Sequence, residues 1–164
     1  MRVTDGLLVN AERFAAPREH RQVPGIPARR LVVLACMDAR LNPYRLLGLA
    51  AGDAHILRNA GGVVTADVRR SIAISQRLLG TREIIVIQHT DCGMTTFTDD
   101  SLKRQIQNDT KLKPDWSTEA FTDLEENLVQ SVGRIEVDPF IPHKDRIRAF
   151  IYEVENACLR EVGG

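Results

Sequence analysis

Apolar residues gather into short unbroken runs separated by longer stretches with a helical repeat. Leu31-Val32-Val33-Leu34-Ala35-Cys36 and Ile84-Ile85-Val86-Ile87 are the plainest runs. Uninterrupted apolar segments of this length fit strands covered on both faces, as in the middle of a parallel sheet. They predict a first core strand at residues 31–36 and a third at 83–88, with a second strand at 54–58 between them. Residues 43–49 read as a helix with Pro43 in its first turn and the Gly52-Asp53 turn beyond it. Residues 65–79 place Val68, Ile72 and Leu79 on one helical face, with Thr65 or Asp67 as the cap and Gly80 past the end. Buried strands alternating with helices predict an α/β fold: a mostly parallel central β-sheet flanked by helices, with right-handed crossovers.

The two ends follow different patterns. Residues 4–18 predict a helix with Leu7, Leu8 and Phe14 as its apolar positions, and the three prolines of residues 17–28 predict an extended arm. Residues 98–133 are polar and helical, with Leu102 and Ile106 in one segment, Leu124, Leu128 and Val132 in another, and Pro114 between them. Residues 137–142, with Pro139 and Pro142, cannot be helical, whereas 147–154 predict a last strand with a return through Leu159. The length of 164 residues suits one domain spanning residues 1–164, residues 1–28 being its N-terminal helix and arm.

Charge narrows the partners. Lys and Arg number 22, as do Asp and Glu, so no net field draws the chain to nucleic acid or an anionic membrane. No apolar run is long enough to span a bilayer. Arg2, Asp5, Glu12 and Arg13 interrupt the N-terminal segment where a secretory signal would be apolar, which predicts a cytoplasmic protein. Three cysteines, an odd number, point to thiols or thiolate ligands in place of a disulfide framework.

In a parallel α/β sheet, ligands bind beyond the carboxyl ends of the strands. Cys36, Asp38 and Arg40 fall there after the first strand, and His89 and Cys92 after the third. Two thiols, an imidazole and a carboxylate delivered from two strand ends make the donor set that zinc prefers. Singly, each has a plainer reading: a strand-end Cys as a small core residue, Asp38–Arg40 as a local ion pair. Together they predict a Zn²⁺ site. Gly61 and Gly62 permit positive φ, so their turn either offers N–H groups to a bound anion or simply joins strand to helix.

Three motifs, Cys36-Met37-Asp38-Ala39-Arg40, Arg58-Asn59-Ala60-Gly61-Gly62 and His89-Thr90-Asp91-Cys92-Gly93, occur in the order found in β-class carbonic anhydrases. Over residues 31–97 the chain resembles that family, most of all its short bacterial-type members. The resemblance implies zinc held by Cys36, His89 and Cys92, and reversible hydration of CO₂ to bicarbonate and a proton by zinc-bound hydroxide. It implies that Asp38, held by Arg40, accepts a hydrogen bond from the zinc-bound water, or in an inactive state becomes the fourth zinc ligand. It also implies a homodimer, often paired further into a dimer of dimers, with active sites near the subunit interface.

The family also contains carbonyl sulfide and carbon disulfide hydrolases, so release of H₂S from the same zinc site is the alternative. Pro27 stands where many relatives carry Gln, and Met37 and Ala39 replace the usual serines, which bears on substrate choice. A non-enzymatic zinc or nucleotide-binding module fits less well, since no glycine-rich phosphate loop follows any strand. Asp91 is expected to orient the metal ligands from behind. His55 should be packed or hydrogen-bonded within its strand and His20 and His143 exposed. Cys158 should pack in the last element, Trp116 should anchor its loop, and Lys111 and Lys113 should be solvated.

Overall fold

In the computed structural model, which describes residues 2–15 and 23–163, the two continuous apolar runs become adjacent inner strands of one five-stranded sheet. Strand β1 (Leu31–Cys36) is buried at every position. It is flanked by β2 (Ala54–Asn59) and β3 (Glu83–His89), β3 by β4 (Ile147–Glu153), and β4 by β5 (Cys158–Val162). The first four strands run parallel; β5 returns antiparallel to β4, with Tyr152 opposite Leu159.

Alternation along the strands divides the core between two faces. Val32, Leu34, Ile84, Val86 and Ile151 pack with Val68 and Ile72 of helix α3 (Ala66–Leu79) and with Leu128 and Ile135 of α5 (Leu124–Glu136). Val33, Ala35 and Ile87 face the other way, onto Leu41 and onto Leu46 and Leu47 of α2 (Pro43–Leu47). Both faces of β1 and β3 are therefore dry, which is why their sequences show no polar alternation.

Helix ends follow local chemistry. Thr65, not Asp67, caps α3 by accepting from the Val68 N–H, and Gly80 closes it in the left-handed region. Helix α2 is two residues shorter than expected, because Gly48 (φ 62°) already terminates it by donating its N–H to the Tyr44 carbonyl. Thr98 and Ser101 form a capping box at the start of α4 (Asp99–Thr110), and Asp123 caps α5. The loop between these helices, which contains Pro114, is held by Asp99, whose carboxylate accepts from Ser117, Thr118 and the Ala120 N–H. Residues 137–142 are non-helical, as the prolines require.

Helix α1 (Val3–Ala15) contains no buried residue. The rest of its expected length, residues 16–18, and the arm up to residue 22 lie outside the described residues. Among the described residues no helix is long and apolar enough to cross a membrane.

Candidate metal centre

Cys36 ends β1 and His89 ends the neighbouring β3, so the pairing of these two parallel strands, Ala35 opposite Ile87, brings both residues to the same carboxyl edge. Cys92 enters from the turn after β3. The two sulfurs and the nearest imidazole nitrogen lie within 4.8 Å of one another, and all three residues are buried. This convergence needs the Gly61–Gly62 turn. At Gly62, φ is +63° and a Cβ would stand 2.7 Å from the Ile87 carbonyl oxygen and 2.9 Å from the Cys36 nitrogen. The turn thus lies against both ligand-bearing strands as only glycine backbone can. Asn59 braces it, its side-chain amide pairing with both the N–H and the carbonyl of Val63.

The donor chemistry suits a soft divalent cation. His89 Nδ1 sits 2.8 Å from the Thr90 carbonyl, which requires the Nδ1–H tautomer and leaves Nε2 as a lone-pair donor. Nε2 is buried and makes no hydrogen bond. A buried acceptor without a partner is costly in a native protein, and a metal ion at this point removes the cost. The facing thiols oppose each other: the contact with Cys92 pushes Cys36 below the ordinary thiol range, and the same contact with burial pushes Cys92 up. The backbone N–H groups of Asp38 and Gly61 also favour the Cys36 thiolate. Val63, Met94 and Phe121 pack around both cysteines and keep water from them.

Asp38 stands at the mouth of this group, Oδ2 3.7 Å from His89 Nε2. Arg40 grips it through Nε to Oδ1 (3.0 Å), Nη2 to Oδ2 (2.8 Å) and its backbone N–H to Oδ1 (2.8 Å). These bonds hold the Asp38 carboxyl well below the usual carboxylate range and raise Arg40 correspondingly. Arg58, quoted above only as part of a motif, has a part that the sequence did not signal. From β2 it donates to the carbonyls of Cys36 (2.7 and 3.0 Å) and Asp38 (2.7 Å), so it clamps the loop that carries both.

Several expectations need correction. Asp91 touches no ligand side chain; its carboxylate and carbonyl both accept from Arg40. Cys158 is exposed, because it opens an edge strand and faces out of the sheet. Trp116 is 53% exposed and anchors nothing in the core. His143 is half-buried, its backbone bonded to the Gln76 side chain and its Nδ1 3.2 Å from Arg82. His55 is hydrogen-bonded to Ser75 as expected, Lys111 and Lys113 are exposed, and His20 lies outside the described residues. Pro27 is buried, while Met37 and Ala39 are exposed beside the site.

A parallel α/β sheet that presents Cys, His and Cys at its carboxyl edge beside an Asp–Arg pair defines a class of metal-dependent enzyme. A family model described as carbonic anhydrase matches residues 31–153. The chain is 51% identical over 166 aligned residues to beta-carbonic anhydrase 1 of Mycobacterium tuberculosis, with 99% of each protein covered. It is 39% identical to a carbon disulfide hydrolase of Saccharolobus solfataricus, with 86% of this chain and 81% of that protein covered. Among solved structures, carbonic anhydrase from Streptococcus mutans superposes with a TM-score of 0.92 at 40% identity, over 99% of both chains. The chain belongs to the β-class carbonic anhydrases, which are zinc enzymes.

Proposed function

We propose that this protein catalyses the reversible hydration of CO₂ to bicarbonate and a proton, with Zn²⁺ held by Cys36, His89 and Cys92. The observation that carries this reading is the buried, unpartnered His89 Nε2 facing two thiols, with Asp38 held beside it by Arg40. When bound, Zn²⁺ supplies a Lewis acid that acidifies water and stabilises the charge developing on oxygen. The two sulfurs bind as thiolates and His89 as neutral imidazole, so the protein's charge cancels that of the ion. Asp38, kept ionised by Arg40, accepts a hydrogen bond from the attacking water at Oδ2 and so fixes the direction of its lone pair. Gly61, whose N–H favours the Cys36 thiolate, and Gly62 form the turn backbone to which this reading assigns contact with a product anion. The working unit in this reading is a cytoplasmic homodimer or dimer of dimers acting on a small molecule, without nucleic acid or membrane.

Hydrolysis of carbon disulfide or carbonyl sulfide is the second reading, favoured by the carbon disulfide hydrolase relative. One zinc-loaded preparation decides between them, assayed by stopped-flow for CO₂ hydration and for H₂S release from carbonyl sulfide and carbon disulfide. Fast hydration with negligible sulfide, lost in Cys92→Ala together with zinc, is the expected result. Sulfide release without hydration would transfer the protein to the second reading, and neither activity in a zinc-replete protein would refute both.

A further inference from the structure

We infer that Asp91 is a positioning residue, which fixes the orientation of the Arg40 guanidinium and through it the placement of Asp38. The inference deepens the proposed hydration chemistry and rests on it for the turnover measurement alone. A guanidinium is a rigid planar fork with two usable edges. Asp38 occupies the edge formed by Nε and Nη2, at 3.0 and 2.8 Å. The other edge is taken entirely by Asp91: its Oδ2 accepts from Nη1 at 2.7 Å and its carbonyl from Nη2 at 3.0 Å.

Asp91 reaches Arg40 with both groups because its backbone is left-handed, φ 54°, a conformation that Asp tolerates better than most residues. With one edge held, Arg40 could still turn about its long side chain. With both held, the plane is fixed, and the Asp38 oxygens stay at a constant distance from the metal ligands. The contact also joins the loop after β1 to the loop after β3, the two segments that supply the ligands.

Asp91 is 82% exposed at its side chain and Arg40 44% exposed. An ion pair so open to water adds little stability, so its removal leaves a folded protein in which geometry alone has changed. Asp91→Gly is the informative variant, because glycine keeps the left-handed backbone while deleting the carboxylate. It separates the grip on Arg40 from any role in shaping the turn.

The test uses the zinc-loaded full chain. Nitrogen-15 NMR of the arginine side chains reads rotation about the Arg40 Nε–Cζ bond, which should be slow in the parent protein and clearly faster in Asp91→Gly, where one edge of the planar fork is released. The kcat for CO₂ hydration should fall by about tenfold to a hundredfold with zinc content and KM unchanged. In an Arg40→Ala background, Asp91→Gly should cause no further loss of kcat. Unchanged Arg40 rotation in Asp91→Gly would overturn the inference, as would an equal loss of kcat with and without Arg40. A parent protein that hydrates no CO₂ would instead sink the proposed function, and the NMR measurement would then decide the role of Asp91 by itself.

Discussion

Replacing Gly62 by alanine adds one methyl group where three backbone segments meet. The new Cβ would lie 2.7 Å from the Ile87 oxygen, 2.9 Å from the Cys36 nitrogen and 3.2 Å from the Ala35 carbonyl carbon, all inside ordinary contact distance. None of these atoms belongs to a flexible side chain, so the strands themselves must shift. Overpacking of this kind costs about 1–3 kcal/mol. The left-handed φ of +63° adds about 1 kcal/mol for any residue with a Cβ. Gly80→Ala supplies the control, since Gly80 has a similar φ of +69° but nothing within 4 Å of its Cβ position. It should lose only the conformational part, about 1 kcal/mol. The predicted gap between the two variants is therefore about 1–3 kcal/mol, or about 2–12 °C in Tm for a chain of this size. Urea unfolding of the metal-free proteins, followed by far-UV circular dichroism at one protein concentration, measures it. Competition with a zinc chelator gives a second readout, in which Gly62→Ala should bind zinc more weakly and Gly80→Ala should match the parent. Equal stabilities within about 0.5 kcal/mol, the usual error of such comparisons, would refute the close-approach argument.

Arg40→Ala should cost about a hundredfold or more in turnover while zinc content stays at the parent level, because the group lost only positions and ionises Asp38; activity within about twofold of the parent would reject that role. Asp138, 2% exposed and bonded to Arg69 and the Phe140 N–H, has its carboxyl held below the ordinary range, first by Arg69. A depressed folded value means that its stabilisation is complete above the unfolded value near about pH 4 and is lost as pH falls through the folded value. Asp138→Asn should accordingly destabilise by about 1–3 kcal/mol at neutral pH and by clearly less near pH 2, as read by urea unfolding at both; equal losses would exclude the ionised pair as the cause. Leu128→Ala, at a fully buried position between α5 and the sheet, should cost about 2–5 kcal/mol without altering the ligand set, checked by zinc stoichiometry of the folded fraction.

Strands β1 and β3 were legible because burial on both faces leaves a signature that few other local structures produce, and α3 because Thr65 and Gly80 mark its ends chemically. The end of α2 was misplaced because two glycines compete there, and only backbone geometry shows that Gly48 acts before Gly52. Cys36, His89 and Cys92 could be picked out since each follows a recognisable strand. The hold of Arg58 on Cys36 and Asp38 could not, because it depends on the register that sets Asn59 opposite Cys36. The Asp91–Arg40 contact depends on one left-handed residue, for which the sequence offers no code beyond a mild tolerance in Asp. Cys158 was misjudged for a related reason: which way an edge residue faces is decided by pairing with β4, not by its own hydrophobicity.

The placement of the ligand cluster at the rim of the sheet has a consequence for how the protein matures. The main apolar mass, from Val32 through Ile72 to Leu128 and Ile135, is assembled from residues that take no part in the cluster. A small zinc finger lacks such a mass and waits for its ion before it can fold. Here the chain can complete its sheet and the Gly61–Gly62 turn first, bringing Cys36 and His89 to the same edge, and take up metal as a separate, later event. Biosynthesis of the polypeptide and its charging with metal are then independent steps, and a shortage of the ion would yield folded, rechargeable protein in place of misfolded chain.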